Sequence, residues 1–520
     1  MISRELLLPH RVAAWAAEHP DRVYIRNIDG DIRTFEQTHH NALRWAALLR
    51  SHGVRPGESV LSLLPVSIAG AELWLGASWL GVVLVPINIE YRGTSLRHAV
   101  KVSGARVMVT NESLLAECGE HAEIVDQLEL AIVVDGAAVG SAIAAVNLSM
   151  VWPAQTPDGN EFPGPRGSDI AAIVFTSGTT GASKGATIHW AQLHATASRY
   201  FPAGDFTPDD VYYAPFPLFH ISGLVALNVM ALCGGSVVLR ERFKTQEFWS
   251  DVATFGCTTT LLLGAMVEFL ASTPATENDS KTPLNKVAMI PLHPDVEAFG
   301  LRFGLKICTN YGSSETGTIL VSEWNPPNSR SCGRQRPEYE VRIVNDDDEE
   351  VPPGTVGECV CRPREPWTSM TGYWNMPQPT SEVFRNQWLH TGDLLYQDED
   401  GNFFYVDRKS DSIRRRGENI SSMEVEAEIN AHPDVIESAV VGVPSELGEQ
   451  EVMAMVVVAG STTLEPEALI EFLRPRLPRY AVPRYVEFVE ALPKTPTQKI
   501  QKNILRGRGV TDSTWDRGSR

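Results

Sequence analysis

Apolar positions in the first third of the chain switch between two periods. Across residues 34–49, Phe35, Ala42, Trp45 and Leu49 fall roughly on one face, which predicts an amphipathic helix. Residues 58–64 form a short apolar run of strand length, 69–80 read as a buried helix, and 82–87 as another strand. This alternation predicts a parallel sheet covered by helices. Residues 144–167 are rich in Pro, Gly and Asp and read as a loop. A second alternating set is expected from Ile170 to about Tyr311. From Arg330 the texture changes. Residues 340–344 and 357–362 read as two strands around an acidic turn at 345–350, and short strands continue to Asp407, consistent with a small antiparallel sheet or barrel. The remaining segment has apolar elements of its own: a helix at 421–430 opened by the capping-box pattern Ser421-x-x-Glu424, strands at 436–443 and 452–458, and a helix at 465–477. It reads as a separate α+β domain.

Composition narrows the classes. A chain of 520 residues is too long for one ordinary core. A formal net charge of −19 disfavours a nucleic-acid partner and general attraction to anionic membranes, although a local basic patch can still hold phosphates. The seven cysteines are scattered, with no CxxC pair, so neither a disulfide framework nor a zinc site is expected, and the pattern suits a reducing cytoplasm. The N-terminal stretch soon turns polar and reads as no signal peptide. The apolar run at 69–86 carries Glu72 and ends at a proline, which argues for a buried helix and strand over membrane insertion.

The strongest local signal is residues 173–185, Ile-Val-Phe-Thr-Ser-Gly-Thr-Thr-Gly-Ala-Ser-Lys-Gly. A strand runs into a loop of small residues. Glycines such as Gly178 let backbone N–H groups approach phosphate oxygens. Thr176, Ser177, Thr179 and Thr180 add hydroxyls, and Lys184 adds a cation. The order is not that of a Walker A loop, because Lys184 is followed by Gly. A plain surface turn is the bland alternative.

This loop resembles the signature of the adenylate-forming superfamily, which includes acyl-CoA synthetases, luciferases and peptide-synthetase adenylation domains. The resemblance spans nearly the whole chain. Residues 408–421 and 492–499 look closest to the crotonobetaine/carnitine–CoA ligase group. The fold it implies is α/β: a large N-terminal domain of doubly wound αβ subdomains with a small β-barrel-like subdomain at 1–407, a hinge at 408–410, and a small mobile α+β domain at 411–520.

The resemblance also implies roles. Tyr311-Gly312-Ser-Ser314-Glu315-Thr is similar to the family's YGxTE motif, which gives Tyr311 to the adenine, Ser314 to the α-phosphate in place of the usual Thr, and Glu315, with Thr179, to Mg²⁺. Trp388-Leu-His-Thr-Gly-Asp393 and Tyr405-Val-Asp-Arg408 are similar to the next two motifs. They give Asp393 to the ribose hydroxyls and Arg408 to the ribose and α-phosphate, with Tyr405 beside them. Each motif alone would also suit an ordinary turn. Pro215-Phe-Pro-Leu-Phe-His220 resembles the aromatic–His segment beside the acid, where His220 would line the acyl pocket; a lone His is also often structural. Lys499 matches the C-terminal catalytic lysine, with Lys494 and Lys502 as competitors. Arg416, Gly417, Glu418 and Asn419 would form the face that meets the adenylate after the C-terminal domain rotates. Three departures stand out: Ser410 at the hinge position where Asp or Lys is usual, Gln498 in place of Gly before Lys499, and Met289-Ile-Pro-Leu-His293 where the family often has Gly-Gly-Ala.

These residues fit one chemistry. A carboxylate becomes a good electrophile when it attacks the α-phosphate of ATP, because AMP then leaves in place of oxide. The gathering negative charge calls for Lys499, Lys184 and Mg²⁺. No G-x-S-x-G nucleophile elbow occurs. The leading expectation is ATP-dependent formation of an acyl-adenylate from a small carboxylic acid, followed by acyl transfer to coenzyme A. An amide-forming ligase using an amine acceptor is the alternative, and an inactive binding module a third. A homodimer is left open.

Overall fold

A computed structural model describes residues 2–138, 141–176, 183–415, 418–445, 450–460, 464–495 and 499–519. Two helices fall where the apolar pattern predicts them, and the structure adds their caps. Phe35–Ser51 is a helix whose N-cap Thr34 accepts from Gln37 N–H, while the Gln37 side chain accepts from Thr34 N–H, a reciprocal capping box. Ile68–Leu80 starts on Ser67 and stops at Gly81 in the left-handed region. These two helices pack closely: a Cβ at Gly76 would stand 2.3 Å from Trp45 Cβ, so only glycine fits there.

The first sheet runs, in spatial order, Ala145–Asn147, Leu130–Val133, Val107–Thr110, Ser59–Leu63, Val83–Pro86, Ile170–Thr176 and Lys184–His189. It is parallel except for the last pair, a hairpin. The second runs Lys306–Cys308, Lys286–Ile290, Thr259–Leu263, Val211–Ala214, Ser236–Leu239, Val23–Asn27 and Ile32–Thr34. The stacked indoles of Trp74 and Trp190, 5.1 Å apart, join the helices Ile68–Leu80 and Trp190–Ala197.

Three features depart from the sequence reading. The two alternating sets exchange elements: Val23–Asn27 pairs with Ser236–Leu239 in the second sheet, while Ile170–Thr176 and Lys184–His189 complete the first. Within the 144–167 loop, Ala145–Asn147 adds an edge strand to the first sheet. The antiparallel sheet begins at Asn310–Ser313, some twenty residues before the change of texture at Arg330, and ends at Asn402–Arg408 in sequence. The Tyr311 motif is therefore part of that sheet's first strand.

After Asp407 the chain builds separate apolar clusters. One gathers Ile413, Ile420, Val425, Ile429, Val440 and Leu473. A four-stranded sheet runs Val435–Pro444, Gln450–Val458, Tyr485–Phe488 and Trp515–Asp516. Ser421 caps Ser422–Asn430 by accepting from Glu424 N–H at 3.3 Å. No helix among the described residues is long and apolar enough to cross a membrane.

Candidate active site

The carboxyl ends of the parallel strands Val211–Ala214, Thr259–Leu263 and Lys286–Ile290 face one rim, where α/β sheets commonly bind ligands. His220 follows the first of these and opens the helix Ile221–Cys233. Ser222 N–H donates to its Nδ1 at 3.3 Å, so the neutral ring carries its proton on Nε2. Burial holds the His220 pKa down at about 4, and the charge of Lys499 pushes the same way.

Asp393 and Arg408 are cross-strand partners in the antiparallel sheet. Arg408 Nε lies 2.8 Å from Asp393 Oδ1, and the Tyr311 hydroxyl donates to Asp393 Oδ2 at 2.6 Å. Asp393 is 5% exposed. Its Oδ1 is close to the guanidinium but has no aligned hydrogen-bond donor, so it has capacity to accept one from a ligand hydroxyl. Burial raises the Asp393 pKa, and Arg408 opposes that shift. The rings of Tyr311 and Tyr405 stand 6.3 Å apart.

The turn after Tyr311 is held by its own hydroxyls. Ser313 N–H donates to Thr316 Oγ1 at 2.9 Å, and Glu315 N–H to Ser313 Oγ at 3.2 Å. A Cβ at Gly312 would meet Gly317 O at 2.0 Å, so the hairpin requires glycine there. Gln192, 1% exposed, donates to the carbonyl of Ser314 at 2.7 Å. The Tyr373 hydroxyl donates to Glu315 Oε1 at 3.1 Å, and Lys184 Nζ sits 5.2 Å from the centre of the Tyr373 ring. Lys184 opens the second strand of the hairpin, where Thr176 Oγ1 donates to its carbonyl at 3.3 Å.

Lys499 comes from the C-terminal unit. Its N–H donates to Thr495 Oγ1 at 3.1 Å, and Thr495 N–H donates to Lys499 O at 2.8 Å. Lys499 is exposed as a residue. Partial desolvation lowers its pKa, Arg408 adds to the shift, and Asp393 and Glu315 oppose it. The competing lysines are held elsewhere: Lys494 pairs with Glu437 at 2.6 Å, and Lys502 with Glu426 at 2.7 Å.

The structure thus groups Lys184, His220, Tyr311, Ser314, Glu315, Asp393, Tyr405, Arg408 and Lys499 around one cleft. Ser177, Gly178, Thr179, Thr180, Arg416 and Gly417 lie outside the described residues. Glu418 and Asn419 belong to a short strand paired with Ile413–Arg415, on the C-terminal unit's own hairpin. Sequence reasoning missed Tyr373 and Gln192. Tyr373 follows Gly372 in a loop without periodicity, and only its nearness to Glu315 and Lys184 reveals it.

Similarity to known proteins agrees with this geometry. The chain matches the AMP-binding enzyme family over residues 12–374 and the AMP-binding enzyme C-terminal domain over residues 424–499. It is 31% identical to the sulfoacetate–CoA ligase of Cupriavidus necator, over 94% of this chain and 96% of that protein. It is 30% identical to a crotonobetaine/carnitine–CoA ligase of Salmonella typhi, over 92% and 94%. Its fold superposes on ATP-bound MatB from Rhodopseudomonas palustris with a TM-score of 0.84, 25% identity, and coverage of 96% and 98%. With a family match across most of its length and a C-terminal match behind it, the chain belongs to the AMP-binding enzyme family.

Proposed function

We propose that this protein is an AMP-forming acid–thiol ligase. It activates a carboxylic acid with ATP as an acyl-adenylate, releases pyrophosphate, and passes the acyl group to coenzyme A. The observation that carries the reading is Lys499, on the C-terminal unit, sharing one charge cluster with Glu315, Asp393 and Arg408. Relatives named as CoA ligases support the thiol acceptor.

In this reading Asp393 accepts from the ribose hydroxyls, with Arg408 and Tyr311 fixing its orientation. Tyr311 and Tyr405 border the adenine, with Gly312 allowing close approach. Ser314 and Lys499 meet the α-phosphate, while the loop Thr176, Ser177, Gly178, Thr179 and Thr180, with Lys184, takes the outer phosphates. Neutral His220 presents Nε2–H to the acid. Lys499 lowers the repulsion between the entering carboxylate and the phosphate.

Glu315 is a single hard carboxylate with a hydroxyl donor behind it, a set that fits Mg²⁺ held mainly by phosphate oxygens. When bound, the ion would offset charge on the triphosphate. The domain reading is 1–407 for adenylation, 408–410 as hinge, and 411–520 as the unit that rotates, bringing Arg416, Gly417, Glu418 and Asn419 to the second step. The seven free cysteines suit a reducing cytoplasm.

The test is ATP–pyrophosphate exchange over a panel of carboxylic acids. For the acid that exchanges, product formation is then measured with CoA and with amines. Thioester with AMP release supports the reading. Amide product would turn it to the amine-using alternative, and no exchange with any acid would reject it.

A further inference from the structure

The helix Lys502–Arg508 begins three residues after Lys499, and its role is not explained by the site alone. Two of its side chains, one turn apart, reach toward the segment that joins the two units. Lys502 Nζ donates to Ser422 Oγ at 2.6 Å and pairs with Glu426 at 2.7 Å. Ser422 in turn donates to Asp407 Oδ2 twice, from its N–H at 2.6 Å and from its hydroxyl at 2.8 Å. Ser421 donates to Val406 O at 2.8 Å. Arg506 donates to Ser410 O and pairs with Asp411 at 2.7 Å.

Asp407 and Ser422 are both at most 2% exposed. Asp407 lies just before the 408–410 segment and Ser422 after it. A carboxylate at the first turn of the helix Ser422–Asn430 satisfies an otherwise unpaired N–H and meets the positive end of the helix dipole. The neighbouring Arg408 points the other way, to Asp393. Two adjacent residues thus face two directions: Arg408 holds the nucleotide side, and Asp407 holds the C-terminal unit. Lys494, on the other side of Lys499 in sequence, is tied to Glu437. Contacts thus hold described residues on both sides of Lys499, and those of Lys502 continue to Asp407.

We propose that Lys502, acting through Ser422 on Asp407, is a positioning residue that latches the C-terminal unit in the pose where Lys499 reaches the cleft. The inference rests on the two-step reading above. The latch favours the adenylate-forming step and must open for acyl transfer, because any rotation about 408–410 separates Asp407 from Ser422. Lys502 touches no reacting atom.

Two measurements test it on the full-length protein. The first needs no substrate: hydrogen exchange of the peptide containing Ser422. In Lys502→Met and Asp407→Asn its protection should fall about tenfold, as a partner of the amide or its support is lost, while Lys502→Arg keeps protection near wild type. The second assays the half-reactions separately. Lys502→Met should lower pyrophosphate exchange about tenfold, leave thioester formation from supplied acyl-adenylate unchanged or faster, and show a non-additive cycle with Asp407→Asn. Lys502→Arg should recover exchange. Unchanged protection in Lys502→Met, or a parallel fall of both half-reactions, overturns the latch. If wild type performs neither half-reaction but the protection changes appear, the latch stands and the ligase reading falls.

Discussion

Arg408 Nε stands 2.8 Å from Asp393 Oδ1 on the adjoining antiparallel strand, and Tyr311 donates to the other oxygen of the same carboxylate at 2.6 Å. Three motifs far apart in sequence therefore converge on one carboxylate. Its Oδ1 has no aligned donor, so it keeps an unused acceptor position, as the proposed role of Asp393 toward ligand hydroxyls requires.

Asp393→Asn should therefore raise the KM for ATP about 10–100-fold, the loss of charge-assisted hydrogen bonds to a ligand. Tyr311 and Arg408 remain in place to hold the amide, so the fold should survive. Steady-state kinetics with varied ATP checks it. An unchanged KM would remove the carboxylate from nucleotide binding.

Tyr373→Phe keeps the ring beneath Lys184 and deletes only the donor to Glu315. The Mg²⁺ concentration for half-maximal pyrophosphate exchange should rise about 2–10-fold, since one hydrogen bond to the carboxylate is lost while its charge remains. A magnesium titration that overlays wild type would leave Tyr373 with a packing role alone.

Glu72 offers a prediction about stability. It is buried between two helices, with Asn41 donating to Oε1 at 2.8 Å and Arg33 at 3.2 Å. Burial raises its pKa from 4.5 to about 7, against the pull of Asn41 and Arg33. The folded state then holds the proton more tightly than the unfolded one, so stability is full below the unfolded value and is lost as pH climbs through about 7. Glu72→Gln keeps an acceptor for Asn41 and carries no charge. It should unfold at a higher temperature than wild type at pH 8.5, by a free-energy difference on the order of 3 kcal/mol at most, and show little gain at pH 5. Thermal melts at both pH values decide the matter.

His220 shifts in the opposite sense for a base. Its pKa of about 4 means that the folded state binds fewer protons than the unfolded state between pH 4 and 6.5, so its contribution to stability is lost as pH falls through that window. Lys499→Ala removes the second cause of the shift and leaves burial. The ring should then titrate above 4 yet below 6.5, which imidazole NMR resonances can read directly. A titration identical to wild type would mean that the lysine does not reach the ring.

Much of this was legible from local pattern. The Ser421 cap acts over three residues, so the chain itself spells it out; the Thr34 cap is equally local but was found only in the structure. Lys184, Glu315, Asp393, Arg408 and Lys499 were singled out through motifs that resemble a known family, and the structure brings these charged groups near one another. The exchange of strands between the sheets was not legible, because Ile25 pairs with Val237 and no local period encodes such a separation. Ala145–Asn147 was hidden by the prolines and glycines around it; three residues are too few to show alternation. Tyr373 and Gln192 act on the site through single hydrogen bonds made across the fold. The competition among Lys494, Lys499 and Lys502 could not be decided from spacing. Acidic partners separate them in space: Glu437 holds the first and Glu426 the third.

That separation yields the last prediction. Lys494 and Lys499 begin and end one short segment, yet their surroundings differ in kind. Lys494 is closed off by Glu437 at 2.6 Å within the C-terminal unit. Lys499 lies in the field of Asp393 and Glu315, groups of the other unit, and of Arg408 at the junction, and its lowered pKa reflects burial beside a second cation. A cation in that setting is costly unless a ligand anion joins it, which is what an acid and an α-phosphate together supply. Lys499→Ala should therefore lower pyrophosphate exchange by about 100-fold or more, the scale of one preorganised charge in a catalytic site. Thioester formation from synthetic acyl-adenylate should be retained, since that step begins after the charge has left with pyrophosphate. Lys494→Ala removes a half-buried pair and should cost about 1 kcal/mol of stability or less, with both half-reactions largely kept. If Lys494→Ala loses exchange and Lys499→Ala does not, the assignment passes to Lys494, and its pair with Glu437 must open when substrate binds.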